Sequence, residues 1–331
     1  MLQAESASNR QTVSASAEID TRKTMPPFVN RITRKIVADR LEVLRSERPE
    51  VDTLFHLLGR ERFLEWAHSI ATLQDEKLRN FSPPLPPLRF RSIAGGASES
   101  MFLWTGLKDA ELFVNLFERY STSRSRARVL DFGIGSGRIA RFVSALPRFE
   151  VFGCDANGEL AAWCSQNLPA INTRQNNLSP PLPFDDGMFD FVYAKSVLTH
   201  LPEPASNAFL RELVRVTAPG GILVITTHGY PALGTIMQSA HHQKVFSLES
   251  GAAARIRDEF SEKPFVYVRL DKRTIELANV GDEYGNTFIH ENYIAQEWTK
   301  AGVDFVGYEP GAFRNFQDAV VLKRKKGLMS L

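Results

Sequence analysis

The sequence predicts an α/β fold: a doubly wound sheet, mostly parallel, with an antiparallel edge strand and a helical N-terminal cap. Three observations carry this. Short apolar runs alternate with helical patterns from about residue 128 to residue 227, which is the rhythm of βαβ units and a parallel sheet. The first run, Val129, Leu130, Asp131 and Phe132, ends in a glycine cluster that opens a helix. Near the C-terminus two apolar runs, 303–308 and 318–322, follow one another without a helix between them. After strict alternation, such adjacent strands suggest an antiparallel pair at the edge.

Residues 1–24 are rich in Ser, Ala, Gln and Thr. A segment with so few large apolar groups cannot offset its ordering entropy, so a disordered tail is expected. Residues 25–120 form the expected helical region. Ile32, Ile36, Val37, Leu41 and Leu44 fall at helical spacing, and 51–58 and 63–73 read as two more helices. The proline-rich stretch 82–87 lacks N–H donors and is expected to be an extended connector. Gly95 and Gly96 mark a loop before a helix at 107–120.

The sheet region is expected over 121–331. Its strands are placed at 128–132, 150–155, 189–194 and 221–227, and its helices at 138–146, 159–167 and 204–216. Residues 231–286 break the rhythm and read as an insertion, with strands expected at 265–268 and 274–280. A helix at 291–301 ends at Gly302, a natural C-terminal stop.

The bulk properties exclude several classes. The chain has 331 residues, 43% hydrophobic and 24% charged, with a formal charge of +2. A near-neutral balance implies no strong field for nucleic acid or an anionic membrane. Lys323, Arg324, Lys325 and Lys326 form a short basic stretch that reads as a solvated end. No apolar run approaches the ~20 residues of a membrane helix, and the first residues lack the pattern of a secretory signal. Two cysteines, Cys154 and Cys164, make a disulfide framework and a cysteine-based metal site unexpected. A cytoplasmic protein with no metal is the expectation.

The glycine cluster runs Gly133, Ile134, Gly135, Ser136, Gly137, with Asp131 two residues before it. Glycine permits a tight turn and a close ligand approach, and the helix start that follows favours an anionic group. A turn without a ligand is the plain alternative. The spacing differs from the G-x-G-x-x-G of nucleotide-binding domains. Asp155 ends the next strand, 20 residues after Gly135. That is the spacing of an acid that holds ribose hydroxyls, the alternative being a helix cap.

These residues resemble the class I S-adenosylmethionine (SAM)-dependent methyltransferases, Rossmann-like enzymes of the bacterial small-molecule type. Asp131 and the stretch from Gly133 to Gly137 match the family's first motif, and Asp155 its ribose-binding acid. Asn177 and Leu178, with Pro181 to Asp186 after them, look like the segment bordering adenine, where the family usually has Asp. The strand 189–194 with 196–201, the turn at Ala218, Pro219, Gly220 and Gly221, and the closing run 317–322 resemble later segments. The resemblance covers about 128–227 and 287–323. It implies SAM as cofactor, bound by Asp131, Gly133, Gly135, Gly137, Asp155, Ala156, Asn177, Leu178 and Ala194. It also implies methyl transfer to a small molecule or sugar, in biosynthesis. One alternative makes SAM itself the substrate, releasing methylthioadenosine. The other is a non-catalytic SAM-binding partner.

Methyl transfer from a sulfonium is an in-line displacement in which alignment supplies much of the acceleration. A hydroxyl or amine acceptor also needs a base. His228 after strand five and His200 after strand four are the candidates, with packing as the alternative for His200. Tyr193 is placed beside the methionine part of the cofactor, or else within the buried face. The helical N-terminal region and the insertion are expected to cover the acceptor, with a homodimer contact as the alternative use of that region.

Overall fold

The computed structural model describes residues 84–93, 99–123, 125–146, 148–249, 251–270 and 283–327. The expected tail, the helices over 25–83 and the strand at 274–280 lie outside the described residues.

Seven strands form one sheet in the order β3-β2-β1-β4-β5-β9-β8. These are β1 Ala127–Phe132, β2 Phe149–Asp155, β3 Ile171–Gln175, β4 Phe189–Ala194, β5 Thr217–Thr227, β8 Val303–Phe313 and β9 Gln317–Arg324. The β1–β2, β2–β3, β1–β4 and β4–β5 pairs are parallel. The β5–β9 and β8–β9 pairs are antiparallel, so the edge predicted from adjacent closing strands is present. The fold is a Rossmann-like doubly wound sheet, and its strand order reverses between β1 and β4.

The central strands read as unbroken apolar runs because both their faces are covered. Val129, Phe191, Tyr193 and Val224 face one core; Leu130, Phe132, Val192 and Leu223 face the other. The first core is filled by α2, Glu99–Tyr120, which follows the short α1, Leu88–Ile93. Phe113 stacks on Tyr193 with centroids 4.7 Å apart, and Phe117 stacks on Phe191 at the same distance. α2 is a layer of the sheet, because its aromatic face is buried against β4 and β5 and not against a separate cap. The helix also starts earlier than the predicted 107. α1 directly follows the proline-rich connector, and its helix had not been expected there.

Beyond β1 the chain forms α3 Ala140–Val143, α4 Gly158–Asn167 and α5 Glu203–Val216. Asn157 caps α4, its side chain accepting from the amides of Glu159 and Leu160. β3 was not predicted. Its sequence is Ile-Asn-Thr-Arg-Gln and only Ile171 is buried, so an exposed edge strand leaves almost no apolar signal.

The insertion contains α6 Tyr230–Gln238, α7 Ala240–Val245, α8 Ala252–Glu262 and a two-stranded ribbon of β6 Phe265–Arg269 and β7 Gly285–Ile289. The partner of the predicted 265–268 strand is thus β7. A third apolar cluster, including Ile236, Phe246, Phe260 and Phe288, holds these elements together. The amide of Ile289 donates to the carbonyl of His228 at 2.9 Å, which pins the ribbon to the C-terminal end of β5. The predicted helix at 291–301 is split into α9 Glu291–Gln296 and a 3₁₀ turn, Trp298–Ala301. Gly302 stops it with φ +90°.

Candidate active site

The C-terminal ends of the strands open into a cavity of about 1440 Å³ beside the point where the strand order reverses. Open α/β sheets bind ligands at this position. One end is built from the loops after β1, β2 and β3. Gly133, Gly135 and Gly137 all adopt positive φ. The amides of Gly133 and Ile134 both donate to the carbonyl of Cys154, at 2.9 and 3.0 Å, so the loop is strapped to β2.

Asp155 stands beside this loop. Its carboxylate accepts from the amide of Gly135 at 2.8 Å and the amide of Asn157 at 2.8 Å. Burial raises its pKa above the ordinary carboxylate range, and these two amides oppose the shift. Asp131 also borders the cavity. It accepts from the Tyr193 hydroxyl at 3.0 Å, and burial raises its pKa to about 7, against the pull of Tyr193 and Arg138.

Of the predicted cofactor residues, Asp131, Gly133, Gly135, Asp155, Ala156, Asn177 and Leu178 all line the cavity. Three predicted residues, Gly137, Ala194 and Tyr193, are not among those that line it. A Cβ on Gly137 would meet Leu168 Cδ1 at 2.2 Å, so this glycine allows the loop to pack on the end of α4. Ala194 is fully buried with Leu130 and Ile225; the chain turns towards the cavity one residue later. Tyr193 is fully buried under Phe113 and reaches the site only through its bond to Asp131.

Both predicted histidines line the cavity. His200 Nδ1 is 2.8 Å from the carbonyl of Gly285. A carbonyl can only accept, so this nitrogen carries the proton and Nε2 holds the lone pair. Burial lowers the His200 pKa to about 4. His228 Nε2 accepts from Gln317 Nε2 at 2.9 Å, which places the ring proton on Nδ1. Burial, then the charges of His200 and Lys195, hold its pKa well below the imidazole range.

Sequence reasoning missed the group that links these parts. Lys195 follows the last residue of β4 and borders the cavity. Its Nζ donates to Gln317 Oε1 and to Ser196 Oγ, the latter at 3.2 Å. It lies 4.9 Å from the centroid of the Phe313 ring. Burial lowers its pKa to about 7, with Arg314 and Arg138 adding to the effect and Asp109 opposing it. A charged residue closing an apolar strand was a visible signal. Gln317, contributed by β9 from 122 residues away, carried none. Phe246, Tyr284 and Phe316 complete this end of the cavity.

The residues present fit SAM. Asn176 is buried, and its side-chain oxygen has no hydrogen-bond partner, while its Nδ2 donates to the carbonyl of Asn177 at 2.7 Å. Asn176 lines the cavity, and a buried acceptor without a partner there suits the exocyclic amine of adenine. The pinned carboxylate of Asp155 suits a pair of ribose hydroxyls. Asn176 and the predicted Asn177 both line the cavity, Asn176 buried and Asn177 exposed. Among the described residues, no cluster of His, Cys, Asp or Glu could hold a metal ion, and no helix is long and apolar enough to cross a membrane.

A family model described as a methyltransferase domain matches residues 130–225. The chain is 34% identical over 106 residues to chloroplastic tocopherol O-methyltransferase of Arabidopsis thaliana, covering 30% of each chain. It is 34% identical over 113 residues to demethylmenaquinone methyltransferase of Mycolicibacterium gilvum, covering 34% of this chain and 45% of that one. The matched part therefore spans less than half the length of these curated relatives. Among solved structures, a SAM-dependent methyltransferase of Methanosarcina mazei aligns with a TM-score of 0.43 and 18% identity, covering 63% of this chain and 97% of that one.

Proposed function

We propose, from the match of residues 130–225 to a methyltransferase domain, that this chain is a class I SAM-dependent methyltransferase and transfers the methyl group of SAM to a small-molecule acceptor. The observation that carries the proposal is the cavity itself. Single-ligand pockets hold roughly 300–1,000 Å³, and this one holds about 1440 Å³. It is large enough for two ligands side by side, with the Asp155 loop at one end and an aromatic chamber at the other.

When bound, SAM supplies an electrophilic methyl group on a sulfonium. Asp155 is assigned to the ribose hydroxyls, and Asn176, Asn177 and Leu178 to the adenine. Gly133 and Gly135 let the main chain come close, and Asp131 and Ala156 complete that wall. Lys195, His200 and His228 are assigned to the acceptor end. The elements α7, β7 and the β8–β9 hairpin cover that end with Phe246, Tyr284 and Phe316. They exclude water and hold an acceptor in line, a positioning effect worth on the order of 7–11 kcal/mol. The relatives named for tocopherol and demethylmenaquinone act on small molecules, which supports an acceptor of that size. The proposed setting is cytoplasmic biosynthesis.

The test incubates the protein with SAM alone and then with candidate acceptors, reading nucleoside products by mass spectrometry. Intact SAM alone, with S-adenosylhomocysteine appearing when an acceptor is added, is the expected result. A Gly135→Val, Asp155→Ala double variant should lose it. Methylthioadenosine without any acceptor would overturn the proposal and make SAM the sole substrate. Binding without turnover by any acceptor would favour a non-catalytic partner.

A further inference from the structure

The acceptor end of the cavity has two properties that narrow what fits there. The first is its walls. His228 lies 5.2 Å from Phe246 and 5.5 Å from Phe316, ring centre to ring centre, and Phe246 and Phe316 are themselves 5.5 Å apart. Tyr284 stacks on His200 at 4.4 Å with the rings 15° from parallel. Flat rings arranged in this way favour another flat ring, through area burial and edge or stacked contacts.

The second is charge. Lys195 has no carboxylate within ion-pair distance among the described residues, and its Nζ touches only neutral oxygens. Charged groups act on it from neighbouring elements, Asp109 of α2, Arg138 after the glycine loop and Arg314 of the β8–β9 turn, and the rings of His200 and His228 are coupled to it. Asp109 is already paired, with Arg138 at 2.8 Å and Arg314 at 2.6 Å. The balance around Lys195 is positive. A cationic amine acceptor is repelled there, and an acceptor able to become an anion is drawn in.

The alternative bases are spoken for. The lone pair of His228 accepts from Gln317. His200 is so reluctant to take a proton that it makes a weak base at neutral pH. His242, at the rim, has its Nδ1 2.8 Å from Ser239 Oγ and its ring stacked on Phe316.

We propose that the acceptor is an aromatic hydroxyl compound and that Lys195 receives its hydroxyl proton, so that the atom methylated is an aryl oxygen. This rests on the methyltransferase reading above. The aryl O–H bond breaks and its proton passes to the neutral amine at Lys195 Nζ. The oxygen's electron pair forms the new O–CH₃ bond as the methyl–sulfur bond breaks, its pair going to sulfur. The sulfonium becomes a neutral thioether, and the ammonium of Lys195 returns its proton to water. Gln317 is the positioning residue, its side-chain oxygen aiming Lys195 and its nitrogen holding His228.

The test uses the full chain saturated with S-adenosylhomocysteine, whose binding is followed by calorimetry, and 7-hydroxycoumarin as probe. This fused-ring phenol has a separate absorption band for its phenolate. The bound probe is expected to ionise at least one pH unit below the free probe. Lys195→Met should abolish that shift while leaving S-adenosylhomocysteine affinity within about twofold. Lys195→Arg should keep the shift, because it keeps the charge. With SAM in place of the product, methylation of the probe should fall roughly 10²–10⁴-fold in Lys195→Met, the usual worth of a positioned base, and far less in Lys195→Arg, where the bound probe is already ionised. An unshifted titration, a shift that survives Lys195→Met, or binding of benzoate in preference to the phenol would overturn the inference and leave methyl transfer standing. Failure of S-adenosylhomocysteine to bind at all would remove the methyltransferase reading and the inference with it.

Discussion

His200 is held neutral in the fold, and this has a measurable cost in acid. Its pKa of about 4 lies below the 6.5 of an ordinary imidazole. Between those values the unfolded chain binds a proton that the folded chain refuses. The stability linked to this group is therefore complete above about pH 6.5 and is lost as pH falls towards 4. Full loss would be on the order of 3 kcal/mol. Thermal melts across pH 4–7 should show a shallower acid limb for His200→Gln than for the natural chain. Parallel limbs would mean that the ring is not desolvated as the structure has it. Asp131 tilts the other way, because a carboxyl raised to about 7 holds its proton better when folded. Its contribution declines as pH rises from about 4 to 7, so only the difference between variant and natural chain isolates the histidine.

Elements are tied around the site by one carboxylate. Asp109 projects from α2 and is 2% exposed at its side chain, with Arg138 on one oxygen and Arg314 on the other. Arg138 also donates to Thr105 Oγ1 at 3.1 Å. The cluster joins α2, the glycine loop and the β8–β9 turn, where Arg314 and Asn315 both adopt positive φ. Breaking a buried pair from one side typically costs ~3–5 kcal/mol, because the partner charge is left behind. Arg314 is 40% exposed and can reach water, so the lower end applies. Asp109→Ala should lower stability by about 3 kcal/mol in urea denaturation. A loss under ~1 kcal/mol, the worth of a surface pair, would show that the cluster does not fasten these elements. The same elements show what escapes sequence inspection. α2 was expected in a cap because it precedes the βαβ rhythm, yet its phenylalanines belong to the sheet. β3 went unseen because only one of its side chains is buried.

At the scale of the whole molecule, ligand binding to the folded state alone raises stability by mass action. S-adenosylhomocysteine at a hundred times its Kd should add ~2.7 kcal/mol. For a chain of this size that is roughly 4 °C in melting temperature. The Gly135→Val, Asp155→Ala double variant should show no rise. An equal rise in the variant would place the binding elsewhere.

The sequence by itself determined the central strands of the sheet and the loops after β1 and β2 that build one end of the cavity. Those features are local: an apolar strand, a glycine turn, and an acid at the next strand end lie within about 25 consecutive residues, and backbone conformation alone brings them together. It also pointed to His200 and His228, each just past a strand that feeds the site. Which of the marked residues face the cavity was decided by tertiary structure. Tyr193, Ala194 and Gly137 are drawn into the core by packing against Phe113, Ile225 and Leu168, contacts that no spacing rule encodes. The aromatic end of the cavity lies beyond sequence inspection for the same reason. Lys195 acquires its character from Gln317 on an antiparallel strand, from arginines on two other elements, and from burial that exists only once the sheet, the hairpin and the insertion have closed around it.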